Sequence, residues 1–368
     1  APNHDAKKVG DALVDGVENS KTFTDAELQR IKNITQNTAD TIANDAVALG
    51  SRLSDYAVSS HGQWDEYFRD LEAIQNLKLE DANQTLKQFL VASHRISGDI
   101  LPTPEDQKKA MTLKAEDKPK TLDQNTEQAE PLKDPRVYQQ EVKQFVEQSA
   151  QQLQKNEKKI QRGELKNGIR YALFPTPTRD DKTYATISLD FGNEKSLFGK
   201  GVILDLTSYL MLRGSEKHTL QEITDKAIAA SGGASVSSNG NGMTIVVQAK
   251  KDKFEDFLSF IIDVIKQPKF SQSEFDLAKN QSLSALDRPY TEPAIVSSMT
   301  LARLLETYQA GDLRYHFEPD LAKQQLKDAT QSQVKQFYDQ FFMTNHAQIA
   351  VTGDFDAIKI QKTLENAF

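Results

Sequence analysis

The stretch Gly201-Val-Ile-Leu-Asp-Leu-Thr-Ser-Tyr-Leu-Met-Leu-Arg-Gly-Ser215 decides the fold. Apolar residues recur in it at helical spacing and predict one buried face, formed by Val202, Ile203, Leu206, Leu210 and Met211. Gly201 precedes this face and Gly214 follows it, and glycine is common at helix ends. The alternating segment 184–192 predicts a strand just upstream. The sequence therefore predicts a strand, a loop and a buried helix, in that order. A helix of this kind can carry metal ligands one turn apart, but this one has none.

The composition limits the classes of function. A chain of 368 residues is long enough for two to three domains, but its hydrophobic content of 38% is low, which indicates a solvated linker. The net charge of −8 without a basic stripe argues against nucleic-acid binding. The absence of cysteine excludes disulfides and thiol catalysis. No apolar run of about 18 residues exists, so no membrane span is expected.

The first hundred residues carry mostly helical patterns. A stripe in 5–21 and a capping box from Thr24 to Glu27 predict the first two helices. Further helices are predicted over about 39–58, 64–74 and 78–91, and a short strand over 94–101. Residues 103–134 are polar and nearly free of aromatic side chains, which is typical of a linker. A helix is predicted near 135–155.

The C-terminal part shows strand signals as well as helical ones. Residues 165–175 predict a β-hairpin that turns at Asn167-Gly168. Helices are predicted over 220–230 and 254–265, with a strand over 243–249 between them. Glycines at 232–233 and around 240–242 are interpreted as turn residues, because no P-loop Lys-Ser/Thr follows them.

Two parts of the chain are distantly similar to each other. Phe270–Asn280 matches Phe23–Asn33, and Val334–Phe337 matches Leu86–Phe89. Such an internal repeat changes the domain assignment. We expect residues 1–102 to be the back half of one domain, 103–164 to be a linker with a helix near 135–155, and 165–368 to be a complete domain.

The sequence resembles the insulinase-like M16 metallopeptidases, which include pitrilysin and the processing peptidases. The segments that carry the resemblance are Leu165–Gly168, Phe191–Lys195, Gly201–Ser215, Phe270–Asn280 and Val351–Phe355. The resemblance implies an α+β fold, a mixed β-sheet with helices packed on one face in 165–368, preceded by a mostly helical half-domain in 1–102. It also implies an internal fragment of a long bacterial member with four such domains, in which 165–368 is the third.

Catalytic members of the family carry His-x-x-Glu-His on the helix, with zinc held by the two histidines and a later glutamate. The resemblance places Asp205, Ser208 and Tyr209 at the three motif positions, and the third-ligand position near Ser284 or Ala285. It therefore implies that this chain has no catalytic residue, no metal site and no other cofactor site. Zinc is expected in the first, upstream domain of the parent protein.

Other polar residues are more simply interpreted as structural. The six histidines show no pairing at helical spacing: His4, His61, His94, His218, His316 and His346. Asp205 taken alone is interpreted as a solvated or capped polar residue rather than as a lone metal ligand. Asp287-Arg288-Pro-Tyr290 is interpreted as a helix cap with a surface ion pair.

By resemblance, the intact protein is a periplasmic bacterial zinc endopeptidase, and this chain is its substrate-enclosing, non-catalytic portion. The expected partners are a peptide substrate and the remaining M16 domains. The alternative is a structural or peptide-binding protein without catalysis, comparable to the family's respiratory-complex core subunits. A His-x-x-Glu-His motif in the upstream sequence would decide between them.

Self-association is a further expectation. The apolar positions in 1–102 lack the front of their own repeat, which would cover them: Val9, Leu13, Val17, Leu49, Leu53 and Tyr56. An uncovered apolar face of this size favours docking on a second chain or on residues 165–368; docking on a second chain is preferred.

The linker assignment predicts where a protease cuts first. Residues 103–134 hold too few apolar groups to offset the entropy of ordering them. Limited trypsin digestion should therefore cut within 103–134 first and leave a stable piece that begins between residues 135 and 165, identified by mass spectrometry. First cuts inside 165–368 would contradict the assignment.

Overall fold

Six strands form one mixed sheet in the order β1-β2-β6-β3-β5-β4 in the computed structural model, which describes residues 5–19, 22–98, 134–178, 180–286, 292–342 and 347–368. β2 and β6 run parallel, and the other neighbouring strands run antiparallel. The strands are β1 Gln161–Glu164, β2 Arg170–Pro175, β3 Lys182–Asp190, β4 Gly233–Ser238, β5 Gly242–Lys250 and β6 Ala347–Gly353.

The helices are numbered in chain order. Those before the sheet are α1 Ala6–Glu18, α2 Asp25–Ala43, α3 Ala46–Ser59, α4 Glu66–Asn76, α5 Leu79–Phe89 and α6 Pro135–Glu157. Those within and after it are α7 Gly201–Leu210, α8 Leu220–Ala229, α9 Lys251–Lys266, α10 Gln272–Leu286, α11 Pro293–Leu304, α12 Pro319–Asp328, α13 Gln331–Phe341 and α14 Ala357–Ala367.

Alternation along the central strands builds the core. Every second residue of β3, β5 and β6 is buried, because successive strand side chains point to opposite faces. Ile187 of β3 lies opposite Ile245 of β5 and Ile349 of β6 in the register. α9 covers this face with a continuous buried side that includes Phe254, Phe257, Leu258, Ile261 and Ile265. The expected α+β fold with helices on one sheet face is confirmed.

Most of the predicted elements of 165–368 are present. The hairpin turns at Asn167-Gly168, where Gly168 has φ +89°, but its first strand is Gln161–Glu164, ahead of the predicted one. β4, Gly233–Ser238, is not among the predicted strands, and it begins at one of the glycines interpreted as turn residues. The predicted strand at 94–101 is wrong for its described part, because residues 92–94 form a 3-10 turn and 95–98 are irregular.

The described chain divides into two compact units. One combines Phe23–Ala82 with Lys159–Phe368, and the other combines Asp5–Thr22 with Asn83–Lys158. The domain boundaries near 102 and 164 stay predictions, and the predicted linker core at 103–133 lies outside the described residues. In the second unit, Arg95 pairs with Glu18 at 2.6 Å, and Leu13 on α1 is 65% exposed. Self-association also stays a prediction.

In the first unit, α2 packs on α8 through paired polar groups. Arg30 Nε and Nη2 donate to the two carboxylate oxygens of Asp225 at 2.5 and 2.8 Å. Asn37 Nδ2 donates to the carbonyl of Ile228 at 2.9 Å, at the end of α8. The Ser231 hydroxyl donates to Asn37 Oδ1 at 2.6 Å, and Ser231 has φ +47°. Asn37 therefore stabilises both the last turn of α8 and the strained residue beyond it.

None of the helices among the described residues combines the length and the apolar character that a membrane span requires.

We predict that Asn37→Ala lowers the free energy of unfolding by about 1–3 kcal/mol, because it leaves the Ile228 carbonyl and the Ser231 hydroxyl without these partners. Urea denaturation measures the change. Asn33→Ala on the same helix is the matched control, because the side chain of Asn33 only accepts a hydrogen bond from Gln29 at the surface. Equal effects of the two substitutions would contradict the packing of α2 on α8.

Candidate functional site

α7 is held by packing on both sides along its length. Its inner side is formed by Leu204, Leu206, Thr207, Ser208 and Leu210, all buried, and the helix contacts α10, α12, α13 and β4. The backbone beyond it reverses at Gly214, where φ is +127°, a conformation that favours glycine. This packing fixes the direction in which Asp205 and Tyr209 leave the helix.

Asp205 lies on the exposed side of α7 and faces β4. The Ser238 hydroxyl donates to Asp205 Oδ1 at 2.6 Å. Surrounding protein atoms exclude part of the water from the carboxylate, and this desolvation raises the pKa of Asp205, although the hydrogen bond from Ser238 acts in the opposite direction. Within the described ranges, Asp205 forms no ion pair.

Ser208 points in the other direction. Its side chain is buried, and its hydroxyl donates to the carbonyl of Leu204 at 2.9 Å, one turn earlier in the helix. This bond is the usual way in which a mid-helix serine satisfies its hydroxyl. Ser208 therefore does not line the open cavity that lies next to α7 and is described below, whereas Asp205 and Tyr209 do.

Tyr209 is 45% exposed and reaches α10. Its hydroxyl lies 3.4 Å from Gln281 Oε1, a long hydrogen bond. The Arg213 guanidinium lies over its ring, 5.3 Å from the centroid, and Arg213 Nε also donates to Glu274 Oε2 at 2.8 Å. Glu274 thus neutralises the charge of Arg213, and Arg213 forms no ion pair with Asp205.

A cavity of about 420 Å3 opens between α7, α10 and α12. Its polar lining comes from Asp205, Tyr209, Gln281 and Ser282. The rest is apolar and comprises Val202, Leu206, Ala278, Ala285, Leu286, Phe317, Ala322 and Leu326. The structure therefore brings Asp205 and Tyr209 to the same cavity as Ala285. Ser284 is exposed outside it. The assignment of these positions to the family's zinc ligands stays a prediction.

A loop that the sequence did not single out positions one wall of this cavity. Glu306 accepts backbone hydrogen bonds from Thr307, Tyr308 and His316, at 2.6 to 2.7 Å, and its Oε2 lies 2.8 Å from His316 Nδ1. These bonds, led by that from the His316 amide, hold the pKa of Glu306 at about 2. Phe317 follows directly. His316 lies ten positions after Glu306 in the sequence, so helical spacing gave no signal.

The residues at this cavity do not fit zinc. Zinc sites use Cys, His, Asp or Glu side chains, three or four together, and Asp205 is the one such group in the cavity lining. Across the described part of the chain, no group of three or more such residues is placed to hold a metal ion.

A larger open depression of about 790 Å3 lies beside the end of β3 and the turn between β4 and β5, and it includes Glu194, Asp312 and Arg314. Arg314 pairs with Asp312 at 2.8 Å and with Glu194 at 2.7 Å. Each of these two carboxylates therefore has Arg314 as an ion-pair partner.

The fold and cavity define an α+β domain in which one open cavity lies between three helices beside a six-stranded mixed sheet. No family model matches the chain. A curated relative, the chloroplastic stromal processing peptidase of Arabidopsis thaliana, is 21% identical over 218 residues. This match covers 57% of the chain and 16% of the relative, so the chain spans about a sixth of that protein's length. The sequence resemblance to processing-peptidase relatives is confirmed.

Two solved structures are also similar. The periplasmic protease PqqL from Escherichia coli is 15% identical, with a TM-score of 0.49, over 57% of this chain and 23% of that one. A peptidase M16 inactive domain from Pseudomonas fluorescens is 14% identical, with a TM-score of 0.47, over 56% of this chain and 50% of that one.

The environment of Asp205 predicts an unusual titration. We expect its pKa to lie above the ordinary aspartate value of about 3.9, because protein atoms around this surface carboxylate exclude part of its water and disfavour its charged form. Ser238→Ala should raise the pKa further by removing the hydrogen bond to the carboxylate. A pH titration of side-chain carboxyl 13C shifts measures both values, with the Asp205 signal assigned by its loss in Asp205→Asn. A pKa at or below the ordinary value would contradict this description.

Proposed function

We propose that this chain is a non-catalytic portion of an M16-type zinc endopeptidase, where it helps to enclose a peptide that is cleaved at another domain. The observation that carries the proposal is the set of residues on α7 and α10 at the positions where the resemblance puts the zinc motif. Asp205 and Tyr209 face the cavity with Ala285, and Ser208 faces the core.

Peptide hydrolysis in this family needs a zinc-bound water and a glutamate that accepts its proton. Ser208 has no carboxylate, and its hydroxyl is already bonded to Leu204. Tyr209 offers a phenol in place of an imidazole, and its oxygen lies near Gln281. None of these side chains supplies a general base beside a metal, so the proposed role is enclosure rather than chemistry.

The similarity to a processing peptidase supports peptide as the substrate class of the whole protein. On this proposal, 165–368 is the third of four M16 domains and 1–102 the end of the second. The partners are the other M16 domains, the zinc lies in the first domain, and the protein is bacterial and periplasmic.

The same residue set also supports a second candidate, a structural or peptide-binding M16-like protein without catalysis in any domain. The two candidates make the same prediction for this chain and differ only in the upstream domain. A peptide-cleavage assay on the full-length gene product distinguishes the two candidates. Zinc-dependent cleavage supports the peptidase, and its absence supports the protein without catalysis.

The proposed correspondence predicts that zinc binding can be restored. The unaltered chain should retain no stoichiometric zinc after dialysis. A triple variant with Asp205→His, Tyr209→His and Ala285→Glu should bind about one zinc per chain, because two imidazoles and a carboxylate then meet at the cavity. Elemental analysis measures the metal, and circular dichroism checks the fold. Ser208 is left unchanged, since it is buried.

The matched control carries Ser284→Glu in place of Ala285→Glu, because Ser284 lies outside the cavity. Equal zinc content in the folded triple variant and in the control would contradict the assignment of Ala285. Stoichiometric zinc in the unaltered chain would contradict a domain without a metal site.

A fluorescently labelled peptide mixture tests whether the chain encloses peptides. The peptides should bind, as measured by fluorescence anisotropy, and should stay intact, as measured by mass spectrometry. Chelator-sensitive cleavage would overturn the proposal.

A further inference from the structure

The cavity between α7, α10 and α12 combines an apolar wall with a single charged group. Its volume of about 420 Å3 falls in the usual range of small-molecule sites. Asp205 is the one charged residue in its lining, and it is joined there by the neutral polar groups of Tyr209, Gln281 and Ser282. A lining of this kind favours a ligand that is mostly apolar and carries one polar end.

The charge of Asp205 sets the sign of that end. Its carboxylate accepts one hydrogen bond, from Ser238, which leaves Oδ2 and further lone pairs for a donor. No cation of the described residues pairs with it, and the nearby Arg213 is bonded to Glu274. A carboxylate that is partly removed from water and lacks a counter-ion favours a cationic partner.

We propose that this cavity binds a monocation with an apolar body, namely an ammonium group on an alkyl or aryl chain. The ammonium group donates to the carboxylate of Asp205, and the hydrocarbon chain lies against Leu206, Phe317 and Leu326. A free amine and a lysine side chain of a peptide share this chemistry. The inference rests on the cavity alone and does not require the proposed peptidase role.

Hexylammonium is the probe, and isothermal titration calorimetry with NMR shift mapping is the measurement. We expect hexylammonium to shift resonances of α7 and α10, and hexanol, which is similar in shape and uncharged, to bind about tenfold more weakly. Asp205→Asn keeps the shape of the side chain and should weaken hexylammonium binding at least about tenfold without affecting hexanol. Asp256→Asn is the matched control, since Asp256 is exposed on α9 outside the cavity.

A second variant tests the apolar wall. Ala285→Phe places a large side chain at the cavity and should abolish binding of both probes. The two sources are distinguished by a capped single-lysine peptide and its Nζ-acetylated form. Tighter binding of the lysine peptide than of hexylammonium identifies a peptide, and weaker binding identifies a free amine. Absence of hexylammonium binding, or equal affinity in Asp205→Asn and the unaltered chain, would overturn the inference.

Discussion

The packing of α9 on the apolar face of the central strands is the constraint on which the rest of the structure depends. β3, β5 and β6 place their buried side chains on one face, and α9 covers them with a side that is almost wholly inaccessible to water. Burial of a large aliphatic or aromatic side chain contributes roughly 1.5–3 kcal/mol. α7 packs on β4 and on α10, α12 and α13, and the cavity lies between α7, α10 and α12.

Local chemistry explains why much of this fold could be predicted from the sequence. The capping boxes at Thr24 and Thr219 are local, since donor and acceptor lie three residues apart. The turn at Asn167-Gly168 is equally local, although its first strand, Gln161–Glu164, is too polar to show a strand pattern. Phe23 and Phe270 each precede a helix that begins two residues later, which agrees with the internal repeat.

Other elements have no local signal that distinguishes them. β4 consists of Gly, Ala, Ser and Val, and it forms because β5 offers a hydrogen-bonding edge. The residues around His94 alternate in polarity, but no strand in the described part of their own unit pairs with them. The Glu306–His316 contact joins two residues that are ten positions apart, a separation over which side-chain periodicity carries no information. The position of Phe317 at the cavity therefore could not be predicted.

The cavity is formed by the way α7, α10 and α12 pack around it. Asp205 and Tyr209 are exposed, so substitution at these two positions costs the fold little, whereas Ser208 is buried against the core. A glutamate at position 208 would have to bring a charge toward that core or turn its side chain out into the cavity. The serine hydroxyl instead donates a hydrogen bond to the Leu204 carbonyl. Serine at this position thus leaves no unpaired polar group in the core. The side chains on the open side of α7 therefore set the chemistry of the cavity, which is apolar with one carboxylate.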